Sequence, residues 1–78
     1  MNTNIEPDVK FAVCINNTDY PTSLELHKIY RVIADKEAFA NSDLRIIDES
    51  GEDYLYSANR FVFVELPQQV QESLKKAA

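Results

Sequence analysis

Six consecutive residues, Asp48-Glu49-Ser50-Gly51-Glu52-Asp53, set four carboxylates around a single turn. Hard divalent cations need several oxygen ligands on one small loop, so this block is the first place to look for a metal site. It lacks the alternate-residue ligand spacing of a calcium loop, and strand geometry sends Asp48 and Glu49 to opposite faces. The block therefore reads as a solvated hairpin tip with no metal, whose like charges discourage edge-to-edge aggregation. His27 has no second histidine or cysteine ligand, and a lone imidazole is not an active site. Cys14 is the sole cysteine, which leaves no internal disulfide and makes a small buried hydrophobe its default role. Ser23 and Ser50 are explained by turn geometry. A chain with one glycine has no phosphate-cradling loop and no nucleophile elbow. These residues predict neither an enzyme nor a cofactor.

A recognition surface fits the side chains better. Tyr54, Tyr56, Ile47 and Arg45 combine aromatic area with a guanidinium, the composition enriched at binding hot spots. Tyr20, on a long loop, and Tyr30, on a strand, extend the set.

The elements that must hold these residues follow from alternation. Val9 to Ile15 alternates as a first strand, with Ala12 and Cys14 on its outer side. Asn16 to Ser23 is a loop, since Pro21 pushes Tyr20 out of helical space. Leu24 and Leu26 lead into a second strand running to Ile33, where β-branched residues oppose helix. Asp35 caps a short turn at Lys36 to Ala40, with Phe39 tucked under the sheet. A two-residue Ser50-Gly51 turn then pairs Ile47 with Tyr54, Ile46 with Leu55 and Arg45 with Tyr56. That register puts Leu44, Ile46 and Leu55 in the core, and Arg45, Ile47, Tyr54 and Tyr56 on the opposite face. Phe61 to Val64 is a fifth strand, apolar on both faces. Pro67 opens a terminal helix that lays Val70 and Leu74 across the strands. The expected core is Phe11, Val13, Ile15, Leu26, Ile33, Leu44, Ile46, Leu55 and Phe61.

The expected architecture is mainly β: a small five-stranded, partly open barrel with a short C-terminal helix. Residues 1–8 form a flexible lead-in, 9–66 the barrel and 67–78 the helix packed on it. With 78 residues the chain makes one small domain, too small for a deep substrate cleft. Thirteen acidic against eight scattered basic residues give a net charge of −5, which disfavours a phosphate backbone and hence nucleic acid. Neither a signal-peptide pattern nor a membrane-length apolar run occurs, so no membrane partner is expected and a cytoplasmic location is.

Ser23 to Val32 (SLELHKIYRV), Ile46 to Phe61 (IIDESGEDYLYSANRF) and, more weakly, Cys14-Ile15-Asn16 carry a resemblance to known proteins. The chain resembles a group of short bacterial proteins of uncharacterised function with an SH3-like barrel. It departs from their pattern at His27, where such chains often have glycine, and at Ser57, where they often have proline. Both positions fall at turns. The resemblance implies an SH3-like fold and brings no catalytic residues with it.

The functional expectation is a non-enzymatic binding module that recognises a protein or peptide through Tyr54, Tyr56, Ile47, Arg45, Tyr20 and Tyr30, as a monomer or weak homodimer. Two other classes fit the same composition. One is a self-associating structural subunit, joined along an edge strand or by the tail helix. The other is an acidic regulator that occupies a basic groove on another protein.

Overall fold

The structure, a computed structural model, describes residues 10–77; the lead-in expected at 1–8 lies outside them. Five strands, β1 (Lys10–Cys14), β2 (Ile29–Ile33), β3 (Asp43–Ile47), β4 (Asp53–Ser57) and β5 (Phe61–Val64), form one antiparallel sheet in the order β4-β3-β2-β1-β5. Helix α1 (Lys36–Ala40) links β2 to β3, a 3-10 turn at Ala58–Arg60 links β4 to β5, and α2 (Gln68–Ala77) follows β5.

The sheet is curled but not closed. Laid flat, four strand spacings would separate β4 from β5 by about 19 Å. Instead the Tyr56 ring on β4 lies 6.3 Å from the Phe61 ring on β5, centroid to centroid. The two edges thus bend toward each other over a shared core, and the architecture is a partly open, SH3-like barrel. That core is Ala12, Cys14, Leu24, Tyr30, Val32, Leu44, Ile46, Tyr56 and Phe61.

Two strands face opposite to expectation. On β1, Ala12 and Cys14 are completely buried in the core, not on the outer side, while Val13 is half-buried and Ile15 exposed. Every residue of Phe11-Ala12-Val13-Cys14 is apolar, so alternation alone cannot choose a face; the interior beneath Tyr30 and Phe61 takes the small side chains. On β4, Leu55 is 49% exposed and Tyr56 is buried. The observed pairs are Ile47 with Asp53, Ile46 with Tyr54, Arg45 with Leu55 and Leu44 with Tyr56, one residue away from the expected register.

The cause lies in the turn. Asp48 N–H donates to Glu52 C=O and Gly51 N–H to Asp48 C=O, which makes a three-residue Glu49-Ser50-Gly51 loop with Gly51 at φ +86°. A left-handed glycine serves a three-residue loop as well as a two-residue one, and the extra residue turns every following side chain over.

Residues 24–28 are irregular chain with a turn at Leu26-His27 instead of strand, because His27 sits at φ +70° and hands its N–H to Cys14 C=O at 2.7 Å. Leu24 is consequently swung into the core and Leu26 out to solvent. Helix α1 is capped as expected, Asp35 accepting from Ala38 N–H at 3.0 Å, but it buries Ala38 and leaves Phe39 68% exposed. Ile33 is half-buried. On α2, Leu74 lines a groove with Phe11, Ile29, Arg31 and Ile47, whereas Val70 is exposed. No helix among the described residues is long and apolar enough to cross a membrane.

Candidate functional site

The six residues expected to form one surface divide between the two sides of the sheet. Tyr54 and Tyr56 alternate with Leu55 on β4 and share the core side with Leu44 and Ile46, while Arg45 and Ile47 point to the outer side. The aromatic strip with a cation at its end, expected from the two-residue turn, is corrected by the register shift.

Two of the tyrosines are anchors. Tyr56, buried, donates from its hydroxyl to Asp48 Oδ2 at 2.6 Å. Asp48 is itself buried and also accepts from Ser50 N–H at 2.9 Å and Ser50 Oγ at 2.6 Å. Burial pushes the Asp48 carboxyl upward, but the hydrogen bonds from Ser50 and Tyr56 outweigh it and hold the group below the usual range. Burial, and then the bond to Asp48, raise the Tyr56 phenol to about 12. Tyr30, also buried, accepts from Glu25 N–H at 2.7 Å and donates to Glu49 Oε2. Its phenol is raised by burial and by that bond. Glu49 is held low first by Lys28, 2.7 Å away, and then by Tyr30. The acidic tip is therefore tied back to the barrel at two neighbouring carboxylates: Asp48 is buried, against the expectation of a fully solvated tip, while Glu49 to Asp53 are exposed as expected.

Tyr20 and Tyr54 keep accessible surface, at 42% and 50%. The Tyr20 ring packs edge-on against Tyr56, 5.1 Å between centroids. Arg60 lies 4.8 Å from the same ring centroid and donates to the carbonyls of Asn16 and Thr18. The Tyr54 hydroxyl reaches Glu52 at 3.4 Å, and its pKa is raised chiefly by that negative charge.

The largest exposed aromatic surface lies elsewhere. Phe39 on α1 and Phe63 on β5, the latter 46% exposed, face a cleft of about 210 Å³ whose floor is Val32 and Leu44 and whose rim carries Lys10 and Asp43. A second groove continues past Phe63 toward Leu66 and Gln71. The α1 wall is braced by Arg45, whose Nε donates to Asp35 Oδ2 at 2.7 Å and whose Nη1 donates to Asp53 Oδ2 at 2.9 Å. The Asp35 carboxyl is held low by Ala38 N–H and then by Arg45. The same bonds, Asp35 first, raise the Arg45 guanidinium. Arg45 thus braces α1 instead of presenting its charge beside the tyrosines.

Sequence reasoning missed Phe39 and Phe63 as surface residues. The signals were present: Ala38 and Phe39 are adjacent on a one-turn helix and cannot both point inward. The Phe61 to Val64 strand is apolar on both faces, too much for a single core side.

Compared with known proteins, the chain matches no family model, no curated protein and no solved structure.

Proposed function

We propose that this chain is a small non-enzymatic binding module, acting in the cytosol, that takes an apolar side chain of a basic peptide segment into the cleft between α1 and β5. The observation that carries the reading is Phe39: an aromatic ring 68% exposed beside a second exposed phenylalanine, both lining open space above an apolar floor. Contiguous exposed aromatics of this kind mark interaction sites. Charge argues for the basic flanks through the chain as a whole, whose net charge of −5 attracts cations at long range; at the cleft itself Asp35 and Asp43 stand beside Lys10, Lys36 and Arg45. The kinship with short bacterial SH3-like proteins belongs to the same proposal, because those proteins lend no activity of their own.

The tyrosine side supplies the second reading, favoured by Tyr20, whose exposed ring packs against both Tyr56 and Arg60. A peptide array separates the two. It pairs Phe- or Leu-containing sequences flanked by Lys with Ser-for-Phe and Glu-for-Lys controls, probed with wild type, Phe39→Ala and Tyr54→Ala. We expect Phe39→Ala to weaken binding about tenfold while leaving the melting temperature unchanged, since its side chain is largely in solvent. Loss on Tyr54→Ala alone would move the site to the tyrosine side. An array with no bound peptide would end the peptide-binding reading.

A further inference from the structure

We propose that two copies of this chain join along β5, antiparallel, about a two-fold axis passing through Phe63. The sheet ends at β5, whose outer side meets no strand among the described residues. Ile15 N–H donates to Arg60 C=O at 2.8 Å, and the β1 register continues through Val13 with Val62 and Phe11 with Val64. Antiparallel alternation then turns the backbone groups of Val62 and Val64 toward β1, and those of Phe61, Phe63 and Glu65 outward. Phe61 N–H already donates to Ala58 C=O, which leaves Phe61 C=O and both groups of Phe63 without a hydrogen-bond partner among the described residues.

Those remaining groups choose the register. With Phe63 opposite Phe63 of the second copy, each Phe63 exchanges both its hydrogen bonds, and each Glu65 N–H reaches the free Phe61 carbonyl across the axis. Shifting the pairing to set Phe61 against Phe63 loses the bonds between the two Phe63 residues. In the favoured register Phe63 meets its symmetry mate on one face and Val62 meets Val64 on the other, covering side chains that are 46% and 48% exposed. Charge agrees with an antiparallel second copy. Arg60, whose guanidinium is bonded to the Asn16 and Thr18 carbonyls and to no carboxylate among the described residues, precedes the strand and Glu65 follows it, so antiparallel chains set opposite charges at the same end, where parallel chains would set like with like. β4, the other edge, has acidic Glu52 and Asp53 at one end and no cation at the other. A four-residue strand contributes less than the roughly 1,200 Å² of a stable interface, so the dimer is weak and depends on concentration.

Sedimentation equilibrium over a concentration series tests this. Wild type should rise from 8.9 kDa toward twice that mass. Phe63→Pro removes the outward N–H without touching the β1 ladder and should stay monomeric, whereas Phe63→Ala keeps the N–H and should still associate, though more weakly. Should Phe63→Pro lose its fold, Val62→Lys, at an exposed position on the same edge, replaces it and should also stay monomeric. Wild type monomeric throughout, or Phe63→Pro associating as wild type does, would overturn the proposal. A wild type that stays monomeric yet binds an added FVFV-type strand peptide would assign the edge to a foreign chain. Because Phe39 lies outside the strand pairing, Phe39→Ala should leave the mass series unchanged, which keeps this outcome separate from that of the peptide array.

Discussion

At the scale of single residues, backbone conformation and carboxylate bonding give the sharpest expectations. His27 adopts φ +70°, a region that costs an L-residue roughly 1–2 kcal/mol and glycine almost nothing. His27→Gly keeps the N–H bond to Cys14 C=O and should stabilise the domain by about 0.5–1 kcal/mol, after the entropy of the freer unfolded chain is set against the relieved strain. Urea unfolding measures this, and a loss of stability would mean that the imidazole makes a contact worth more than the strain. At Asp48 the folded pKa lies below its unfolded value, so its contribution is complete above the unfolded pKa and is lost as pH falls through the folded one. Tyr56→Phe deletes one hydrogen bond to that buried carboxylate. It should cost about 1.5–3 kcal/mol at neutral pH. It should also move the acid-unfolding midpoint to higher pH, because Asp48 then protonates sooner; an unmoved midpoint would show that Ser50 alone holds the charge.

At the scale of elements, the hairpin formed by β3 and β4 sets the cost of each side chain. Ile46→Ala, at a completely buried position, should cost about 2–5 kcal/mol in chemical denaturation, while Leu55→Ala, half in solvent, should cost about 1 kcal/mol or less. The reverse order would restore the two-residue turn. Ser57, at the end of β4, has φ −57° and ψ 132°, values that proline adopts without strain. The ladder bond beside it runs from Ala58 N–H to Ser42 C=O, so the Ser57 N–H points away from the sheet. Ser57→Pro should therefore raise the thermal midpoint, by the equivalent of about 0.4–1 kcal/mol. Strand positions, the glycine turn and the capped helix were legible in the sequence because each has a local cause: alternation, a left-handed angle, an Asp35 side chain. Facing was not. In Tyr54-Leu55-Tyr56 the core side can take either Leu55 or the two tyrosines. The choice falls to a hydroxyl that finds Asp48, a partner visible only after the chain has folded. The cleft stayed hidden for a related reason, since Phe39 and Phe63 become neighbours only when α1 and β5 are brought to the same mouth of the barrel.

At the scale of the whole molecule, the tip of the β3–β4 hairpin links parts of the chain distant in sequence. Its consecutive carboxylates bind Tyr56 on β4 and Tyr30 on β2, and Glu49 N–H donates to Ser23 C=O in the loop that precedes β2. Every amide from Asp48 to Glu52 has an acceptor, in the backbone or in the side chains of Asp48 and Ser50. A hairpin tip is ordinarily where deuterium enters first. Here the amide protons of Asp48 and Glu49 should exchange about as slowly as those of β2 and β3, and Tyr30→Phe should release Glu49 and Leu24 together. The tip and the long loop would then open as one cooperative unit. Fast exchange at Glu49 beside a slow β3 would show two independent ones. With slow exchange at both amides, the acidic turn is the clasp that lets the barrel of this 78-residue chain, open along one seam, breathe as a single body.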